Sequence, residues 1–487
     1  MNESESVSEV PRAELFAQDF EREQSGYQQV LRPRQIQMIA IAGAIGSGLF
    51  LGAGGRLASA GPSLFVAYAV AGLMVYMVMR ALGELVVYRP SSGSFISYAR
   101  EFLGEKAAFI AGWMNFVFWA TVAIVDVTAV ALYVQFWKAF TAIPQWVLAL
   151  IALVAILGIN LVSVRLFGEL EFWFSFIKVG AILAFLVIGS VALGFGWPLE
   201  SGGKVVTPSI LTWSDHGGIF PNGMIATVLV LQGAIFAYGG TELIGTAAGE
   251  TKDPHTVIPK AVNSVVWRIG VFYIATLVLL SLLLPYSMYK ANESPFVTFF
   301  ASLGGQQAGE IAGSVMNFVV ITAALSAMNA GLYSTGRSLR SMALNGAAPS
   351  FTGRLSRTGV PYMGILVTSC VALIGVAINY FVPAKAFDIV MNMSTLGILS
   401  TWGTIVLCQI ALYRRATAGL AERPGYRMPG APYTGYLTLG GLAVALVLIA
   451  LDYPVGTYTV GTFVVVGVPA LIAGWFVARK HIGVPRQ

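Results

Sequence analysis

The chain has 487 residues, 56% of them hydrophobic and only 11% charged, with a formal net charge of +6. Soluble domains carry about a quarter charged residues, so too few charges remain here to cover a globular surface, and a soluble enzyme or scaffold is excluded. The positive balance does not mark a nucleic-acid binder, because no basic helix or aromatic–basic stripe carries it.

Residues 1–34 hold Glu3, Glu5, Glu9, Glu14, Asp19, Glu21 and Glu23. They lack the basic start and short apolar core of a cleavable signal and are expected to form a polar cytoplasmic tail. Beyond them, apolar runs recur near the length that crosses the roughly 30 Å hydrocarbon core as a helix. They lie at 36–58, 62–87, 106–137, 144–163, 168–195, 220–248, 259–285, 308–336, 361–382, 387–413, 433–452 and 457–479. The pattern predicts an all-α membrane protein with twelve transmembrane helices. The segment Ser94–Gly104 reads as interfacial, with Phe95, Tyr98 and Phe102 opposite Arg100 and Glu101. The eighth span is expected to run on into an amphipathic stretch around Arg337–Leu344. The long polar gap Gly196–Ile219 divides the chain into five spans and seven.

Lysine and arginine set the orientation. With the N-terminus inside, the external gaps hold Arg56, Lys138, Lys204, Lys290 and Lys385, while Arg80 and Lys178 lie within spans. The remainder falls on the cytoplasmic side, in clusters such as Arg337–Arg340–Arg354–Arg357 and Arg414–Arg415–Arg423–Arg427. Both termini are therefore expected in the cytoplasm. Cys370 and Cys408 sit in apolar runs and read as two buried thiols with no disulfide framework.

Two spans look interrupted. Span one reads Ala42-Gly43-Ala44-Ile45-Gly46-Ser47-Gly48-Leu49-Phe50, and span six reads Phe236-Ala237-Tyr238-Gly239-Gly240-Thr241-Glu242. Each interior glycine weakens a helix by roughly 1 kcal/mol relative to alanine. Unwound backbone at membrane depth survives only where it lines a cavity or is buried in protein. Interruptions at matching places in two halves point to a midplane substrate site. A half-helix that begins at the break offers free N–H groups, and one that ends there offers free carbonyls. The N–H groups of Ser47 and Gly48 suit a carboxylate, and carbonyls near Ala44, Phe236 and Gly239 suit an ammonium, so a zwitterion such as an α-amino acid satisfies both. The competing reading is close helix packing, since Gly48 and Gly52 also form a G-x-x-x-G pair. A dinucleotide fingerprint is rejected, because no strand precedes these glycines.

Charges within spans are functional candidates by default. Lys178 lies too deep in span five for simple snorkelling and suits a proton carrier, or else a static structural charge. Asp126 in span three and Glu242 just past the span-six break are candidates for coupling or gating, although the helix dipole alone would stabilise Glu242 there. Arg80 and Glu84 read as a structural i,i+4 pair, and Glu169, Glu171, Glu250 and Asp253 as acids at inner helix ends. His216, His255 and His481 lie in separate loops and make no metal cluster. No nucleophile elbow, Walker loop or paired-cysteine motif occurs, so neither a catalytic residue nor a cofactor is expected.

Gly43-Ala44-Ile45-Gly46-Ser47-Gly48-Leu49-Phe50, Arg80-Ala81-Leu82-Gly83-Glu84-Leu85, Glu171-Phe172-Trp173-Phe174 with Ile177-Lys178, and Gly249-Glu250-Thr251-Lys252-Asp253-Pro254 resemble bacterial amino-acid permeases of the amino acid–polyamine–organocation superfamily. The likeness runs from about residue 28 to 480. Tyr88–Phe95 through Glu105–Ala108, and Ser294–Phe300, look most like the L-asparagine permeases of that family. The resemblance implies a LeuT-like 5 + 5 inverted repeat with discontinuous helices one and six. Its units would be 35–195 and 220–413, with helices eleven and twelve (433–479) outside. It also implies proton-coupled import across the bacterial inner membrane, with amino acid, protons and lipid as partners and no nucleic acid. By the same likeness, Ser47 and Gly48 bind the substrate carboxylate and Ala44, Phe236 and Gly239 offer carbonyls to its amine; Ile45, Gly46, Tyr238 and Asn329 are expected beside them in the substrate site. Lys178 stands where sodium-coupled relatives hold sodium, and Glu242 links the span-six break to gating. Asp126, Tyr238, Asn329, Asn392 and Ser394 are pocket candidates, the two asparagines equally as interhelical hydrogen-bond partners. The alternatives are import of glycine, serine, alanine or γ-aminobutyrate, amino-acid exchange, or a channel. The oligomeric state stays open.

Overall fold

In lipid, an apolar run has one economical conformation, the helix, which satisfies its own backbone polar groups. The computed structural model describes residues 34, 35, 38, 45–91, 93–248, 253–291, 293–381 and 386–482. After the short helix α1 (Ser47–Phe50) come α2 (Gly52–Ala60), α3 (Leu64–Tyr88), α4 (Phe95–Leu103) and α5 (Glu105–Val134). Then follow α6 (Gln145–Val162), α7 (Val164–Phe195), and the strands β1 (Leu199–Ser201) and β2 (Lys204–Val206). The second half holds α8 (Gly223–Leu229), α9 (Leu231–Ala237), α10 (Leu243–Ala247), α11 (Pro254–Leu283) and α12 (Pro295–Ala301). It closes with α13 (Gly305–Leu344), α14 (Tyr362–Phe381), α15 (Ala386–Thr417), α16 (Tyr433–Leu451) and α17 (Val455–Ala478).

Ten helical segments among the described residues are long and apolar enough to cross a bilayer, against the twelve predicted. The difference lies at the first and sixth predicted spans, neither of which is a continuous helix. Elsewhere the ends follow local chemistry. The Ser163 hydroxyl accepts the Leu166 N–H at 3.1 Å to start α7, and Gly196 at φ +58° closes it, with Trp197 N–H reaching back to the Ala192 carbonyl. Helix α5 is the centre of the bundle, with 83% of its apolar window buried, whereas none of the corresponding window of α17 is. The last helix therefore faces outward.

Several expectations are corrected. The all-α expectation holds for the membrane-spanning body, and the long polar gap after α7 adds one short antiparallel hairpin turned by Gly202 and Gly203, both at positive φ. Helix α4 is packed on both faces by protein: Phe95, Tyr98, Arg100 and Glu101 are all buried, so its polar face is not turned to solvent. Burial pushes the Glu101 carboxyl above its ordinary range, with Arg89 and Arg415 opposing the shift. Helix α12 forms within a predicted loop because Phe296 and Phe299 are fully buried, packing on Phe185, and Phe296 also meets Phe50 at 5.0 Å between ring centroids. Arg56 is no loop residue: it lies in α2 and is buried. Cys408 is buried but Cys370 is exposed on α14.

Arg80 and Glu84 do not pair. Fully buried Glu84 accepts from Arg423 Nε (2.5 Å), Arg423 Nη2 (3.2 Å), Gln409 Nε2 (3.0 Å) and the Met428 N–H (2.7 Å). Arg80 instead donates to Asn263 at 2.8 Å and lies over the Tyr426 ring. The segment between α15 and α16 is thus latched to the end of α3. Removing one partner of a buried ion pair strands the other. Glu84→Ala is therefore expected to destabilise the protein by about 3 kcal/mol, seen as a lower thermal unfolding midpoint in detergent.

Candidate functional site

Both glycine-rich segments depart from helix where the sequence places the departure. Gly46 is extended (φ −132°, ψ −157°), helix begins at Ser47, and a second discontinuity falls at Leu51. As first residues of a helix, Ser47 and Gly48 carry N–H groups without intrahelical acceptors. Helix α9 stops at Ala237, Tyr238–Glu242 form turns, Gly240 sits at φ +99°, and helix resumes at Leu243. That φ belongs to the region open to glycine at little cost. Ala44 lies outside the described residues, and Gly249–Lys252 do too. Ile45 is buried beside the first break.

The two breaks meet. A Cβ on Gly48 would stand 2.6 Å from the Cα of Ala237, so only glycine lets α1 approach α9 this closely. Gly46 faces Ala327 of α13, and Gly239 faces Phe118 of α5 and Ile398 of α15. Around the second break most carbonyls are engaged. Ile235 accepts from Tyr238 N–H, Phe236 from Gly239 N–H at 2.9 Å, and Ala237 from the Tyr273 hydroxyl at 3.1 Å. The Gly239 carbonyl accepts from no group among the described residues.

Buried side chains then assemble around α1. The Ser47 hydroxyl donates to Asp126 Oδ1 at 2.8 Å, while Oδ2 of that fully buried acid has no partner. Lys178 donates to the Ser326 hydroxyl at 2.9 Å, and Ser326 donates to Glu171 Oε1 at 2.6 Å. Asn329 donates to Glu171 Oε2 at 3.3 Å and accepts from Asn160 at 2.8 Å. One polar chain therefore ties α6, α7 and α13, with Lys178 also within electrostatic reach of Asp126. Glu242 sits behind the second break. Its Oε2 accepts from the Gly240 N–H at 3.2 Å and the Trp402 indole at 3.4 Å, and Oε1 is unpartnered.

The structure thus brings Ser47, Gly48, Asp126, Phe236 and Gly239 to one crossing and separates others from it. Tyr238 turns away: its hydroxyl donates to the Tyr68 carbonyl at 3.0 Å and its ring lies 4.4 Å from that of Tyr273. Asn329 belongs to the Glu171 chain. Ser394 donates to Thr121 at 2.8 Å, and Asn392 is buried with its side-chain oxygen unpartnered. Sequence reasoning placed Glu171 at a helix end, whereas it is buried in the bundle. Its spacing of seven from Lys178, two turns along one helix face, was the available signal. Nothing local announced Ser326, Asn160 or the Tyr68–Tyr238–Tyr273 cluster. Among the described residues no three His, Cys, Asp or Glu side chains gather to hold a metal ion.

Residues 35–487 match the family model described as amino acid permease. L-asparagine permease 1 of Mycobacterium tuberculosis strain H37Rv is 56% identical over 460 residues, covering 94% of this chain and 92% of the relative. The L-asparagine permease of Streptomyces coelicolor is 54% identical over 458 residues (94% and 92%). That of Escherichia coli K12 is 53% identical over 459 residues (94% and 90%).

Gly48→Ala is expected to push α1 from α9 and destabilise the protein by roughly 1–3 kcal/mol, the usual range for overpacking. Gly180→Ala, where an added Cβ meets nothing within 4 Å, is expected to leave the unfolding midpoint unchanged or slightly higher. Equal midpoints for both variants would show that the crossing is not tight.

Proposed function

The chain belongs to the amino acid permease family, and on that premise we propose that it imports L-asparagine by proton symport through alternating access. It is a multi-pass membrane transporter, not an enzyme. The asparagine reading draws on the names of relatives more than half identical over nearly the whole chain. The proposed architecture is a 5 + 5 inverted repeat (35–195 and 220–413) of twelve spans, with 433–479 outside it. The outward-facing α17 and the interruptions in the first and sixth spans support it. Both termini are proposed to lie in the cytoplasm, on the charge bias of the loops.

The observation that carries the mechanism is the crossing of two interrupted helices at Gly48 and Ala237. The substrate α-carboxylate is proposed to bind the N–H groups of Ser47 and Gly48, where the start of α1 adds a positive dipole end. The ammonium would be taken by the carbonyls of Ala44, Phe236 and Gly239, with the open Oδ2 of Asp126 alongside. Ile45 and Gly46 hold the extended backbone open between these poles. Tyr238 contributes its main chain, its ring being committed to Tyr68 and Tyr273. Lys178, Glu171 and Asp126 would hold the coupled proton, since Lys178 is already linked to α13 through Ser326. Glu242 touches both the second break and Trp402 of α15, so a change at the break is felt there directly.

Counterflow in proteoliposomes with a panel of unlabelled amino acids tests the substrate. L-asparagine is expected to compete best, and its failure to compete would sink that part of the reading. Lys178→Ala is expected to abolish accumulation driven by a proton gradient while retaining exchange. Accumulation at the wild-type level in that variant would remove Lys178 from the coupling path.

A further inference from the structure

Arg56 stands one turn beyond the second discontinuity of the first span and is only 8% exposed. Its donors reach the Gly48 carbonyl at 3.2 Å and the sulfur of Met391 at 2.7 Å, and no ion pair neutralises it among the described residues. Its partners are a carbonyl, a thioether and the adjoining Tyr68 hydroxyl, none of them an anion, so the charge of the buried guanidinium is poorly compensated. The slot that holds it is built by absence of side chains. A Cβ on Gly52 would lie 2.6 Å from Nη1, and one on Gly233 would lie 1.7 Å from Nε.

The slot adjoins a cavity of about 380 Å³ lined by Leu51, Arg56, Leu229, Gln232, Met391 and Asp452. Asp452, at the end of α16, accepts from Gln232 Nε2 at 2.6 Å and is not ion-paired with Arg56. Gln232 Oε1 is buried without a partner. A cation and an anion thus share one cavity without neutralising each other, with an unsatisfied amide oxygen between α2 and α16. A zwitterion satisfies all three. Ser59 and Ala291 complete the rim, at the end of the bundle that the charge bias assigns to the outside.

We propose that this cavity is an outer waiting site for a zwitterionic amino acid, distinct from the crossing of the broken helices. Arg56 takes the α-carboxylate, Asp452 the α-ammonium, and Gln232 Oε1 accepts from the ammonium or a side-chain amide. Because Arg56 also holds the Gly48 carbonyl, an arriving carboxylate competes with that contact and signals occupancy to the first break. The inference rests on the amino-acid transport reading above.

The test is uptake of labelled L-asparagine into liposomes by the full chain and by Arg56→Gln, Arg56→Lys and Asp452→Asn. L-asparagine α-amide and N-acetyl-L-asparagine serve as competitors lacking one charge each. Arg56→Gln is expected to raise KM at least about tenfold, the scale of a charge-assisted hydrogen bond, with kcat within about twofold. It should also weaken discrimination against the α-amide, the crossing retaining its own share, while leaving discrimination against the N-acetyl compound unchanged. Asp452→Asn should do the reverse, and Arg56→Lys should recover most of the wild-type KM. Wild-type KM and wild-type selectivity in folded Arg56→Gln would overturn the proposal, and so would equal loss of both discriminations. If Arg56→Gln fails to fold, unchanged N-acetyl discrimination in Asp452→Asn overturns it. Absence of wild-type asparagine uptake would instead defeat the transport reading itself.

Discussion

A helix broken inside lipid exposes backbone groups that nothing in hydrocarbon can satisfy, and the arrangement around these two breaks answers that constraint. Tyr273 caps the Ala237 carbonyl, Glu242 accepts from the Gly240 N–H, and Arg56 covers the carbonyl of Gly48. Phe236 and Tyr238 carbonyls are taken within the turn itself. What this leaves at the crossing is a small residue of unspent capacity: the N–H groups opening α1, the Gly239 carbonyl, the second lone pair of the Phe236 carbonyl and one oxygen of Asp126. The proposed zwitterionic substrate would complete the set.

The same economy explains the buried charges. Lys178, Glu171, Ser326, Asn329 and Asn160 form a connected chain, and such a network rigidifies only when its members are satisfied. It joins α7 to α13 directly beside Gly46 and Ala327, so under the proposed coupling a proton gained or lost in it would act on the packing against the first break. Glu84 plays a different part. Its four hydrogen bonds pin the segment around Arg423 and Met428 to α3, which fastens the outer helices to the core at one end.

Much of the site was readable as local chain chemistry. Clustered glycines in an apolar run predict broken helix wherever the chain goes, because the cost is a property of those residues and their neighbours. Gly46 and Gly240 bear this out in their backbone angles. Depth along a span likewise singled out Lys178, Asp126 and Glu242 without any knowledge of partners. Side-chain direction was not legible in the sequence. Tyr238 looked like a pocket residue, yet its ring was claimed by Tyr68 and Tyr273 from two other helices. Arg56 looked like a loop cation, yet Gly52 and Gly233 vacate the space that turns it inward.

The sequence by itself determined that this chain lives in a membrane, where its helices run and where two of them fail. Those properties follow from hydrophobic length and glycine content, which act over a few residues. Only the tertiary structure decided that Ser47 meets Asp126 across 79 positions, that Glu171 joins Lys178 through Ser326, and that Glu84 abandons Arg80 for Arg423. Side-chain partners in a bundle are chosen by which helix faces pack together. In lipid that choice rests on small residues and polar contacts rather than on a hydrophobic pattern the sequence displays.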